Sequence, residues 1–166
     1  VEGILVFGKT KNAAASLTRQ LTRNGFKKYY EAMAEGTPPA ASGTLTDYLI
    51  RDGRTNCSTV CSPDTLGSKK AVLEYQVLAQ YETNGKCLSH LRIQLQTGRH
   101  HQIRVQFSHA GCPLFGDRKY NPDGIPVSRL YLCACQLDFL HPSTGKLLHF
   151  EIQPFFYEEF DKSSPS

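Results

Sequence analysis

The sequence predicts an α+β domain built on a mostly antiparallel sheet, and three observations carry that reading. Short apolar or alternating segments outnumber stretches of helical period. Turn-type residues, not long crossovers, separate them, and Asn84-Gly85 is the strongest hairpin signal in the chain. Only residues 11–23 and 99–110 place apolar side chains at helical spacing.

The elements follow in order. The apolar run GILVF, residues 3–7, reads as a buried strand. Thr10 caps a helix from Lys11 to about Arg23, with Ala13, Ala14, Leu17 and Leu21 as its apolar stripe and Asn24-Gly25 as its stop. Strands are expected around Lys28 to Ala34 and from Gly43 to Ile50, the latter followed by a polar loop at 51–54. Residues 55–68, rich in Ser, Thr, Cys and Gly, read as irregular. Ala71 to Gln80 and Cys87 to Leu95 form the arms of the hairpin. A helix spans 99–110 and ends at Gly111; Pro113 to Asp117 is a turn. Leu130 to Phe139 and Leu147 to Gln153 close the chain as two strands around the turn at 141–146.

The chain has 166 residues, enough for one core, with 40% apolar and 20% charged content. No apolar run approaches the ~20 residues of a membrane span, and VEGILVFGK lacks a signal-peptide pattern. The missing initiator Met points to a fragment or a trimmed chain. Net charge is +4, and its distribution matters more than its size. Basic residues concentrate in 1–36 and again in 92–129, while the end of the chain is acidic, with Glu151, Glu158, Glu159 and Asp161. Two basic blocks suit a polyanionic partner. The six cysteines form no CxxC and no zinc-ribbon spacing, so they read as free thiols in a reducing cytoplasm.

One stretch is unusual: LQTGRHHQIRVQFSH, residues 95–109, crowds Arg99, His100, His101, Gln102 and Arg104 into one turn. Metal binding fits poorly. His100 and His101 are adjacent, and a helical two-His site wants ligands four apart. No nucleophile elbow is present either. Anion recognition fits best, with Thr97-Gly98 opening a helix and Arg99 supplying a fork of donors. Spacing alone leaves open whether Arg104, set among Ile103, Val105 and Phe107, faces water or meets a carboxylate or phosphate.

The longer segment LQTGRHHQIRVQFSHAGCPLFGDRKY resembles the central motif of the RluA family of RNA pseudouridine synthases, L-x-T-G-R-[TS]-H-Q-I-R-V-H-x-x-x-x-G-x-P-[IL]-x-G-D-x-x-Y. Three further blocks agree in order: VEGILVFGKTKNAAASL, KKYYEAMAEG and LYLCACQLDFLHPSTGKLLHFEIQPF. The resemblance covers almost the whole chain and is weakest over 40–68. His100, Gln106 and Cys133 depart from the family's usual residues.

This resemblance implies a bent mixed, mostly antiparallel sheet with about two main helices, with 1–166 as the C-terminal major part of a single catalytic domain whose upstream catalytic-Asp segment is absent. It implies isomerisation of uridine to pseudouridine in structured rRNA or tRNA by a cytoplasmic monomer, with no cofactor and no metal. The family's nucleophilic Asp would fall three residues before Val1, outside this chain, so the fragment by itself is expected to be inactive. The resemblance carries two active-site positions over: Tyr30, to stack on the target base and handle protons, and Arg104, to pair with the nucleophile. Lys27, Lys28, Arg99, His101, Gln102 and Arg118 are expected to shape the loop or touch RNA. The alternative is a non-catalytic RNA-binding protein on the same scaffold.

Overall fold

The computed structural model describes residues 1–23, 25–83 and 85–160. The expected helix stop at Asn24, the turn residue Asn84 and the acidic Asp161 lie outside them. The chain forms two compact units: Val1–Tyr30 with Cys133–Ser166, and Glu31–Leu132.

In the first unit, β1 (Glu2–Gly3) runs parallel to β7 (Leu132–Leu140), and β8 (Leu147–Glu151) is antiparallel to β7. Helix α1 (Lys11–Thr22) starts where the Thr10 hydroxyl accepts the Ala13 N–H at 3.2 Å. Its apolar stripe buries Leu17 against Leu137 and Phe139, with Ile4, Val6, Phe26 and Leu148 around them. The Gln20 amide both donates to and accepts from the Leu140 backbone at 2.8 Å, so a side chain finishes the end of β7. A short helix, α3 (Tyr157–Phe160), was not anticipated. The strand expected over 3–7 is mostly absent. Pairing stops after the Ile4 N–H meets the Ala134 carbonyl, and Leu5 and Phe7 are 78% and 82% exposed. An apolar run reads as a buried strand only if both faces are covered, and here they are not.

The second unit carries the antiparallel ladder. Strand β2 (Lys27–Glu35) enters it, followed by β3 (Ser42–Asp52), β4 (Cys57–Cys61), β5 (Lys69–Thr83) and β6 (Lys86–Leu95). The β3 strand pairs with both β4 and β5, and β5 pairs with β6 from Leu73↔Leu95 to Thr83↔Lys86, with a bulge near Val77. Gly85 has φ +71°, the left-handed geometry that a two-residue hairpin requires. The segment expected to be irregular in fact holds β4. Asp52 ties off the tip by accepting the Arg54 N–H and the Thr55 hydroxyl, and Asn56 turns with φ +51°. The tight turn brings Thr59 and Val60, both good strand formers, back onto β3 as a hairpin. Helix α2 (Gln102–His109) lies against this sheet through Val105, which packs on Leu49 and Ala71. It begins three residues later than expected.

Candidate functional site

The late start of α2 is the key to its N-terminal turn. His101 sits at φ +53°, ψ +23°, a left-handed conformation uncommon outside glycine, and it has no side-chain cap. Instead Gln102 reaches back. Its Oε1 accepts the Arg99 N–H at 2.9 Å and the Thr97 hydroxyl at 2.8 Å, while its Nε2 donates to the Val72 carbonyl at 3.1 Å. Gln102 is 3% exposed, and its amide is committed to shaping the loop. Arg99 is exposed, but its Nε is anchored on the Lys70 carbonyl at 2.9 Å.

Arg104 meets a carboxylate, and the carboxylate belongs to this chain. Its Nε and Nη2 donate to the two oxygens of Asp117 at 2.7 and 2.6 Å in a side-on fork. The Asp117 side chain is fully buried, and that of Arg104 is 15% exposed. Asp117 also accepts the Lys119 and Tyr120 N–H groups at 3.0 and 3.1 Å. Burial alone would raise its pKa. The Arg104 pair and the two backbone donors outweigh burial and hold the carboxyl below its usual range. The same hydrogen bond to Asp117 raises the pKa of Arg104.

His101 completes the arrangement. Its Nε2 faces Arg104 Nη1 at 3.3 Å and its Nδ1 faces the Tyr120 hydroxyl at 2.9 Å. A guanidinium only donates, so Nε2 is the bare nitrogen and Nδ1 carries the proton. Burial first, then the positive charge of Arg104, lowers the His101 pKa to about 4. The Tyr120 hydroxyl also accepts the Ser58 N–H from β4 at 2.8 Å, and its ring lies 5.0 Å from the Arg104 guanidinium carbon. Arg104 is therefore fixed on three sides, with donors on Nη1 and Nη2 left for a further acceptor. Sequence reasoning missed Asp117 and Tyr120 as partners, although the G-D-x-x-Y portion of the motif contains both.

The remaining expected residues are divided between the units. Tyr30 and Lys28 line one cleft of about 230 Å³ in the first unit, walled by Ile4, Val6, Phe26 and Leu137. Burial raises the Tyr30 pKa and lowers that of Lys28. The Tyr30 phenol therefore keeps its proton in the free protein, which suits a stacking or donor group better than a base. Among the described residues its hydroxyl has no hydrogen-bond partner. Lys28 lies over the Phe26 ring, 5.4 Å from its centroid, and Lys27 is exposed. Arg118, in the second unit, is exposed and donates to the Val127 carbonyl at 3.4 Å. Among the described residues no group of three His, Cys, Asp or Glu is placed to hold a metal, and no helix is long and apolar enough to cross a membrane.

Comparison with known proteins agrees with the motif. Residues 1–109 match a family described as RNA pseudouridylate synthase. An uncharacterized RNA pseudouridine synthase of Chloroflexus aurantiacus is 35% identical over 150 residues, covering 89% of this chain and 45% of the relative. The ribosomal large subunit pseudouridine synthase D of Neisseria meningitidis serogroup B is 34% identical over 161 residues, covering 90% of this chain and 41% of the relative. The chain thus spans less than half the length of these relatives. Human RNA pseudouridylate synthase domain containing 1 shares the fold, with a TM-score of 0.76 at 24% identity over 93% of this chain and 65% of that one.

Proposed function

This chain belongs to the RNA pseudouridylate synthase family, on its RluA branch, and from that premise we propose that its parent protein isomerises uridine to pseudouridine in structured RNA. The reaction breaks the N1–C1′ glycosidic bond, turns the uracil and joins C5 to C1′. N1 gains a proton and C5 loses one, so atoms balance without a redox partner. Ribosomal RNA is the favoured substrate, because relatives that are 34% identical are named for the ribosomal large subunit. The protein would work as a cytoplasmic monomer without metal or cofactor.

The observation that carries this reading is the Arg104 arrangement. Asp117 and His101 hold the guanidinium, and its free Nη donors can meet a second, nucleophilic carboxylate. Such a pair keeps the carboxylate ionised and ready to attack. Tyr30, protonated in its apolar cleft, would stack on the displaced base and use its hydroxyl to handle a proton there. Lys27, Lys28, Arg99 and Arg118 would meet phosphates.

The test is tritium release from RNA carrying 5-tritiated uridine, using the parent protein with ribosomal and transfer RNA transcripts. Release is expected from at least one of them. RNA binding without release from either would favour a non-catalytic RNA-binding protein on this scaffold.

A further inference from the structure

Strands β3, β4 and β5 share a face whose character changes along its length. Antiparallel partners point the same way, as do residues two apart. The registers Asp47↔Ala71, Leu49↔Lys69, Leu49↔Val60 and Arg51↔Ser58 therefore put all these side chains on one face. Under α2 that face packs Leu49, Ala71 and Val60 on Val105, with Asp47 bonded to Gln106 and His109 of the helix. Beyond the start of α2 the next positions are Arg51, Lys69 and Ser58, and the turn bearing Arg99 and His100 lies beside them. These residues line an open pocket of about 490 Å³.

The pocket is built for negative charge. None of its lining residues is acidic. Among the described residues no carboxylate forms an ion pair with Arg51, Lys69 or Arg99. The nearby Asp52 is committed to its own turn, and Asp117 to Arg104. Both arginines are anchored by a single nitrogen. Arg51 Nη2 donates to Asn56 Oδ1 at 3.0 Å, and Arg99 Nε to the Lys70 carbonyl, so their other donors are free to face the pocket. His100 is positioned by Ser58 Oγ at 3.0 Å and by stacking on His101, with ring centroids 3.8 Å apart. Pre-fixed cations without counter-charges bind an anion at little ordering cost.

We infer that Arg51, Lys69, Arg99 and His100 form a binding site for a backbone phosphate of the substrate RNA. This rests on the RNA reading above and gives it a docking point where the β3–β4 hairpin, the start of β5 and the turn before α2 meet. Through the His100–His101 stack the site adjoins the Arg104 arrangement, so a phosphate held here would fix RNA beside it.

Two measurements separate this site from RNA binding in general. The first follows His100 by NMR pH titration of the 166-residue chain, with sulfate as a non-titrating probe. Burial, then Arg51, Lys119 and Arg104, depress the His100 pKa. Sulfate should raise it by about a unit, because the anion offsets those charges. Arg51→Gln should abolish the rise, and Arg51→Lys should keep it. The second measures RNA affinity against salt. Arg51→Gln and Lys69→Gln should each weaken binding several-fold and reduce the slope of log K against log salt by about one. A sulfate response with unchanged RNA slopes would overturn the assignment in favour of a small free anion. Unchanged slopes and no sulfate response, with RNA still bound, would overturn the site and leave the RNA reading intact. Failure of the parent chain to bind RNA would overturn both.

Discussion

Replacing Asp117 with Asn keeps the shape of the buried side chain and removes its charge. The carboxylate accepts four hydrogen bonds, two from Arg104 and one each from the Lys119 and Tyr120 N–H groups. An Asn oxygen can keep the two backbone bonds. Its NH2, at the Oδ2 position, would instead face the Nε donor of Arg104, leaving a buried cation without its counter-ion. Breaking a buried pair by removing one partner costs about 3–5 kcal/mol. The 15% exposure of Arg104 lets water reach it, which places the cost near the lower end, about 3 kcal/mol. That corresponds to a Tm lower by about 6–12 °C for a chain of this size. The chain contains no Trp, so urea denaturation is best followed by far-UV circular dichroism. The pH dependence gives a second check. Asp117 has a lowered pKa in the folded state, so its contribution is complete above the unfolded value of about 3.9 and lost as pH falls through the folded value. The gap between parent and variant should therefore be constant from about pH 5 to 7 and close in stronger acid. A gap below about 1 kcal/mol at pH 7, or one that persists in acid, would refute the reasoning.

Three further outcomes are expected. Gly116→Ala should destabilise the chain by at least about 2 kcal/mol in the same denaturation assay, because Gly116 has φ +77° and an added Cβ would run into the Arg129 carbonyl. The His101 ring should titrate by NMR near pH 4. Its depressed pKa means a stability contribution complete above about 6.5 and lost as pH falls toward the folded value; a normal titration would show that burial and the Arg104 charge do not act on the ring. Tyr30→Phe in the parent protein should slow tritium release by roughly 10²-fold or more, with little change in Tm, because the hydroxyl has no hydrogen-bond partner among the described residues to lose. A parallel fall in rate and Tm would instead assign Tyr30 a structural role.

Legibility in the sequence followed how local each signal was. The α1 cap at Thr10 and the β5–β6 hairpin were readable because cap and turn chemistry act within a few residues. The stretch at 3–7 misled because apolar content does not say whether a neighbour covers it. The β4 strand was hidden because Thr59-Val60 is a short strand signal inside a polar segment, and it pairs with β3 only once the Asp52 turn has reversed the chain. At the site, spacing left open whether Arg104 faces water or an anion, and only the motif pointed to a carboxylate partner. The pairing with Asp117 was not readable, because Asp117 lies thirteen positions on and reaches Arg104 only through the fold. Likewise His101 read as a helical residue, whereas its left-handed backbone exists only because Gln102 takes over the capping.

The Tyr120 hydroxyl has a consequence of a mechanical kind. One oxygen joins the Ser58 backbone in the β3–β4 hairpin to His101 in the turn before α2. The hairpin is thus latched one residue pair from its tip, and the tip itself is held by the Asp52 turn, by Arg51 on Asn56 and by Lys119, whose ammonium donates to the Thr55 and Asn56 carbonyls. Lys119 and Tyr120 also donate their N–H groups to Asp117, the partner of Arg104. Reshaping the tip therefore pulls on the same two residues that hold the arginine's counter-ion.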